Sequence, residues 1–339
     1  MKKLLAVFSI LIVLSSCATS NNSGKSGSSK PVVRNVLTNL PGTNGPVLAV
    51  KIDDTSPAHP QVGLSKADVV YIEQVEGGLT RLAAIFTDAI PPLIGPVRSA
   101  RISDIEILAQ YGRVGFAYSG AQSKLRPVLA EANLVNMSAE INSPTIYQTD
   151  KARFAPTNLM VDAKALLQKT IDQDGKKVDL VKSVGWQFGK VAATGKKVST
   201  VSIKWPASRY EITWSKTERR WLLSYNGSPD LDSDGRQLGS PNFVIQKVSI
   251  TDSIYHDKVG GITPFSNTVG SGSGYLLRNG KVIAINWQRP SAEVGTNWTL
   301  SDGNAANFAD GQVWVALTEN EPIFTYPAPS PSASPAKSK

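Results

Sequence analysis

A chain of 339 residues with a single cysteine cannot close a disulfide within itself, so its fold has to rest on buried apolar surface. The densest supply of such surface runs from Pro46 to Arg101. It reads PVLAVKIDD, then HPQVGLSKADVVYIEQVEGGLTRLAAIF, then IGPVRSAR. Apolar runs of strand length alternate there with loops dense in glycine, proline and paired opposite charges. Loops carry function more often than the scaffold that holds them, which makes this stretch the organising element of the chain.

The cysteine itself points to a compartment. Lys2 and Lys3 precede an apolar run, Leu4 to Leu14, followed by Ser15-Ser16-Cys17. A basic start, a short apolar core and small residues before a cut site make a signal peptide over residues 1–16. The run falls short of the ~20 apolar residues a spanning helix needs. Leu14-Ser15-Ser16-Cys17 looks like the lipobox of bacterial lipoproteins, which implies cleavage before Cys17 and its lipidation. An ordinary secretory signal with a chance cysteine is the competing reading.

Residues 18–35 are mainly Ser, Asn, Gly and Lys with almost nothing to bury, which makes 17–35 a lipid-anchored flexible tether. Residues 327–339, PAPSPSASPAKSK, form a disordered Pro/Ser/Ala tail. The formal charge of +9 belongs mostly to these ends. Seven of the 36 basic residues lie in them (Lys2, Lys3, Lys25, Lys30, Arg34, Lys337, Lys339), leaving 29 against 27 acids, a net of +2. The folded part is nearly neutral and gives no support for nucleic-acid binding. The basic tether suits either an anionic membrane surface or plain solubility.

Strands are expected at Pro46–Ile52, Ala67–Glu73 and Leu82–Phe86, with a tight glycine turn at Glu76-Gly77-Gly78. A helix is expected from the Ile94–Arg101 segment to Gln110, with Ile102, Ile105 and Leu108 on one stripe. Another is expected after Thr157 or Asn158, with Leu159, Ala163, Leu166 and Leu167 on its apolar face. The first half thus alternates strand and helix. Beyond Lys176 the character changes, and all seven tryptophans lie there. Short strands dominate, and Arg278-Asn279-Gly280-Lys281 marks a hairpin, because Asn-Gly suits a turn of positive φ. Two regions follow, 36–175 mixed α/β and 176–326 β-rich, as separate domains or as two lobes of one.

Arg98 and Arg101 sit three apart where that first helix starts. Cations oppose the helix dipole there, so an anion has to compensate. Asp53, Asp54, Glu73 and Glu76 at neighbouring strand ends are the internal candidates. An anionic ligand is the external one, since helix N-termini and arginine forks both favour carboxylate or phosphate. Two solvated surface charges are the third reading. Asp53 and Glu76 could also serve as acid and base, although nothing fixes their separation. Ser119 lacks a nucleophile pattern, and His59 and His256 leave little material for a triad. Asp230, Asp232 and Asp234, with Gly235 at the sixth place, space carboxylates as a calcium loop does; Pro241 stands where an EF-hand has glutamate, so an acidic turn is the preferred reading. Most tryptophans read as core. Trp287 beside Arg289 at a strand end is the exception that suits a recognition cleft.

These motifs together resemble the YerB-like bacterial lipoprotein family, a domain of unknown function. The strings that carry the resemblance span residues 40–320: Ile52-Asp53, Pro60-Gln61 to Gly63-Leu64, Ala67-Asp68-Val69-Val70-Tyr71, Glu76-Gly77-Gly78 with Thr80-Arg81, Ile94 to Arg101, Ala155-Pro156 with Asn158, and Gly280-Lys281 leading to Trp287 and Arg289. The resemblance implies an α+β layered β/β/α fold, a mixed α/β N-terminal lobe packed with a mostly antiparallel C-terminal one. It also implies an extracytoplasmic protein anchored to the bacterial cell membrane. Members usually carry a histidine where this chain has Thr157, and another where it has Asp230. Histidine-dependent chemistry is therefore in doubt here.

The expectation is an envelope lipoprotein without cofactor that binds a ligand or a protein partner. Its cleft gathers Asp53, Glu76, Arg81, Arg98, Arg101 and Asn158, with Trp287 and Arg289 nearby. The alternatives are a hydrolase or transferase acting on a cell-wall glycan or peptide, and an interaction protein whose charges are architectural.

Overall fold

The structure, a computed structural model, describes residues 32–190 and 194–328. The signal peptide, Cys17, most of the tether and all but the first two residues of the tail lie outside the described residues. Three strands set the frame: β1 (Leu48–Asp53), β2 (Val69–Gln74) and β3 (Thr80–Phe86). All are buried along nearly their whole length, so the sheet they build has to be covered on both faces.

β3 lies between β1 and β2 and runs antiparallel to both. Outside β1 come Val114–Ala117 and Leu134–Asn136, both parallel. Outside β2 comes Val313–Thr318, again parallel, and then Asn242–Lys247, Gly270–Arg278, Lys281–Arg289 and Asn297–Thr299. One eleven-stranded sheet therefore crosses the composition change near residue 176. The described residues from Val33 onward belong to one compact unit.

Side-chain alternation gives each face its own core. Leu48, Val50, Ile52, Val70 and Ile72 pack on Val201, Ile203, Tyr210, Trp221 and Leu223 of a second, six-stranded sheet. Ala49, Val69, Tyr71, Ala83 and Ile85 belong to the opposite core with α1 (Ile102–Ala109) and α2 (Leu125–Glu131), through Ile107, Leu108, Leu125 and Leu129. The molecule is an α+β protein with β/β/α layers, as the resemblance implies. The Asn-Gly hairpin is present: Asn279 and Gly280 have φ of 51° and 71°, and Arg278 pairs with Lys281.

Two helices differ from expectation. Gly95–Arg101 is extended, and the helix begins only at Ile102. β1 outlasts its neighbour Val114–Ala117, which pairs only Leu48–Val50. The extended segment satisfies the remaining backbone: Asp53 N donates to Pro96 O (2.9 Å) and Arg98 N to Lys51 O (2.8 Å). Leu159–Asp162 is a strand in a small three-stranded sheet. Its Leu159 mimicked a helical stripe with Ala163, but pairing with Tyr147–Thr149 prevails. The helix that follows, α3 (Ala163–Gln168), is capped by Asp162, whose carboxylate accepts from Ala165 N at 2.9 Å, rather than by Thr157 or Asn158. A hairpin, Ile250–His256 with Ile262–Ser266, has no counterpart among the expected strands.

Candidate functional site

The Glu76–Gly78 turn between β2 and β3, the end of β1, the extended segment and the start of α1 converge on one spot. Asp53 closes β1, and its Oδ2 lies 2.6 Å from Arg98 Nε. Arg101 Nε sits 2.7 and 2.8 Å from the two carboxylate oxygens of Glu76, which also accepts the Thr263 hydroxyl from the hairpin. Burial alone would raise the Glu76 carboxyl, but the Arg101 charge, its hydrogen bond and Thr263 hold it below the usual carboxylate range. The chain thus supplies the anions that Arg98 and Arg101 require. Asp54 and Glu73 serve elsewhere.

The helix start is itself charge-matched. Arg101 N donates to Asp104 Oδ2 (2.6 Å), placing an acid in the first turn of α1. Beneath it, fully buried Lys51 bridges Glu73 and Asp104, at 2.7 Å from the latter. Burial lowers the Lys51 ammonium to about 8 despite the pull of Asp104. The sequence reading missed both Lys51 and Asp104. An acid three residues into a helix was the available signal.

Arg81 differs from its two neighbours. β3 places it opposite Asp53 and Glu73 in the sheet register. Only 8 % exposed, it donates from Nη1 to Ser99 O (2.7 Å), and no described carboxylate lies within ion-pair reach of it. Burial, then the Arg101 and Arg98 charges, push its guanidinium down to about 9. All three arginines line a cavity of about 310 Å³, walled on the far side by Tyr255 to Val259 of the hairpin. Lys258 adds a further cation to the lining. Asp257 is turned into its own loop, where its carboxylate accepts from Val259 N (2.9 Å) and Gly261 N (2.7 Å).

The structure thus brings together Asp53, Glu76, Arg81, Arg98 and Arg101. It leaves out the other three expected residues. Asn158 lies beyond the cleft lining, and its carbonyl accepts from Asp150 N (2.7 Å). Trp287 is buried against its own sheet: its indole crosses Gly272, where any Cβ would meet the ring at 2.6 Å, and its Nε1 donates to Lys247 O (3.0 Å). Arg289 is 1 % exposed and spent on Val294 O, Thr268 Oγ1, Glu106 O and Ala292 O. A strand-end arginine beside tryptophan here holds loops together.

The acidic loop folds as a turn, with Asp232 N donating to Arg236 O and Gly235 N to Asp232 O, both at 2.9 Å. Its carboxylates diverge. Asp232 accepts from Gly63 N and Ser65 N, Asp234 from Arg236 N, and Asp230 bonds His59. Among the described residues no group of three or more His, Cys, Asp or Glu is placed to hold a metal ion.

His59 forms the second polar cluster, on the other face of the sheet. Its Nδ1 lies 2.8 Å from Asp230 Oδ1 and its Nε2 3.4 Å from Asp54 Oδ1, and its ring stacks on Tyr225 at 4.4 Å. Asp54 also accepts the hydroxyls of Tyr210 (2.7 Å) and Thr80. Burial would lower the imidazole, but hydrogen bonds to Asp230 and Asp54 raise it to about 10. Of positions 157 and 230, where the family resemblance leads one to expect histidines, Asp230 bonds this ring and Thr157 shares with it the lining of a cavity of about 390 Å³.

Fold and cleft together define a two-lobed α+β protein built on one shared sheet, with an arginine-lined cavity between β3, the extended segment that precedes α1, and the hairpin. Residues 37–177 match the N-terminal domain, and residues 200–315 the C-terminal domain, of the protein of unknown function family DUF3048; the chain belongs to that family. It is 23 % identical over 277 residues, 80 % of either chain, to a Bacillus subtilis (strain 168) protein named "Putative lipoprotein YerB". The crystal structure of YerB protein from Bacillus subtilis has the same fold, with a TM-score of 0.73 at 22 % identity over 85 % of this chain and 97 % of that one. No helix among the described residues is long and apolar enough to cross a membrane.

Proposed function

We propose that this protein is a lipoprotein of the bacterial envelope, anchored outside the membrane through Cys17, and that it binds an anionic ligand in the arginine-lined cavity. One observation carries the binding reading. Arg81 is a buried cation whose neighbours have taken the available carboxylates, and it lines a cavity shared with Arg98, Arg101 and Lys258. An anion entering there would compensate a charge that burial first, and the Arg101 and Arg98 charges second, disfavour, and would find forked donors suited to carboxylate or phosphate. Proton donation by Glu76 is disfavoured and its strength as a base reduced, because Arg101 and Thr263 hold its carboxyl below the usual range. The anchor reading draws on the lipobox-like residues before Cys17 and on the name of the Bacillus relative.

Inorganic phosphate is the simplest probe. It should raise the melting temperature of the protein beyond the effect of chloride at equal ionic strength, by linkage to the folded state. The increment should vanish in Arg81→Met and shrink in Lys258→Glu, whose side chain is exposed and dispensable for packing. Equal responses to phosphate and chloride would overturn the reading. For the anchor, Cys17→Ser should move the protein from the membrane to the soluble fraction; unchanged fractionation would refute it.

A further inference from the structure

The cationic cavity has an apolar neighbour that shares α2 and the hairpin with it. A larger cavity of about 570 Å³ is lined by Ile102, Ile105, Val128, Leu134, Ile254 and Phe265. Ile102 follows Arg101 directly in α1, and Val128 lies three residues past Leu125 on α2, with Arg101 and Leu125 lining the cationic cavity. Tyr255 of the hairpin lines both. Both volumes fall in the range of ~300–1,000 Å³ typical of small-molecule sites. The hairpin also leaves apolar side chains to water at each cavity: Ile254 is 76 % exposed at the larger one and Val259 91 % at the smaller.

We infer that the two cavities form one site for a single-chain amphiphile. Its anionic head would lie among Arg81, Arg98, Arg101 and Lys258, and its hydrocarbon chain between α1, α2 and the hairpin. Charge selects this occupant. The cations at one end of the shared wall suit a phosphate or carboxylate head, while the greasy lining beyond suits a tail without polar groups. Three acids also stand on this lining: Glu106 of α1 accepts from Thr268 Oγ1 (2.7 Å) and Val269 N (2.8 Å), while Asp252 and Glu293 are exposed to water, so the chain would lie against Ile102, Ile105, Val128, Leu134 and Phe265. The inference rests on the anion-binding reading above and adds the chain.

Calorimetric titration with inorganic phosphate, butyl phosphate, octyl phosphate and dodecyl phosphate, each kept monomeric, separates head from tail. Affinity should rise along the series by up to about fourfold per buried methylene, the equivalent of ~0.8 kcal/mol. Ile254→Asp places a charge in the chain cavity at an exposed position, so it should flatten the series while leaving inorganic phosphate binding intact. Lys258→Glu should weaken every member. Dodecanoate binding alongside dodecyl phosphate would extend the head to carboxylates; its failure to bind would restrict the head to phosphate. Equal affinity for phosphate and dodecyl phosphate would overturn the amphiphile and leave the anion reading standing. Dodecyltrimethylammonium binding as tightly as dodecyl phosphate, indifferent to Lys258→Glu, would overturn both, as would no binding at all.

Discussion

Asp53 and Asp54 are neighbours in sequence, yet they serve opposite faces of the sheet and opposite kinds of site. Asp53 turns towards α1 and meets Arg98, whose side chain is 27 % exposed. Asp54 turns towards the second sheet, where it is fully buried, accepts from Tyr210, Thr80 and Gln61 Nε2, and lies 3.4 Å from His59 Nε2. On the helix side cations outnumber acids, and the surplus lines an open cavity. On the sheet side two acids, Asp54 and Asp230, clamp one imidazole, and most of the remaining polar capacity is spent inside the fold. An excess charge that faces a cavity is available to a ligand, whereas a clamped one mainly holds the layers together.

The largest expected effect tests that contrast directly. Asp54→Asn should cost about 3–5 kcal/mol in chemical denaturation, because it leaves His59 charged and buried with half its partners. Asp53→Asn should cost only about 1–2 kcal/mol, since Arg98 can turn to water. Equal costs would erase the distinction between the two faces.

The pH dependence of His59 sharpens it. The folded value of about 10 lies above the ordinary ~6.5 of an unfolded histidine. Its contribution is therefore whole below pH ~6.5 and is lost as pH rises towards 10. The stability gap between the protein and His59→Gln should narrow over that window, and the imidazole should remain protonated at pH 8 by nitrogen NMR. A ring titrating near 6.5 would show that the carboxylates do not clamp it.

The acidic turn gives the smallest effects. Asp232→Ala should cost about 1–3 kcal/mol by orphaning the amides of Gly63 and Ser65. Asp234→Ala, an exposed position, should stay within about 0.5 kcal/mol. A chelator should leave the melting temperature unchanged, and a fall would reinstate calcium.

Local pattern made some of this legible. The apolar runs around β1, β2 and β3 and the Asn279-Gly280 hairpin could be read because each depends on residues close in sequence, and Asp53, Glu76, Arg81, Arg98 and Arg101 could be grouped because they stand at ends of neighbouring strands or just before a helix. The hairpin over the cleft could not: ITDSIYH has few β-branched residues at buried places, and its strand state comes from pairing with Ile262–Ser266. Trp287 and Arg289 misled for a similar reason, since a strand end looks alike in sequence whether a loop folds over it or water does.

The sequence by itself determined the apolar strands and, through the family its motifs resemble, the layers they build, and it called for an anion beside Arg98 and Arg101. Only the tertiary structure decided where the anions went. Asp53 and Glu76 were drawn to Arg98 and Arg101, Asp104 to the helix start and Lys51, and Asp230 to a histidine 171 residues away. Coulomb energy depends on distance in space and on burial, neither of which spacing along the chain records. That apportioning left Arg81 without a carboxylate of its own, facing the cavity.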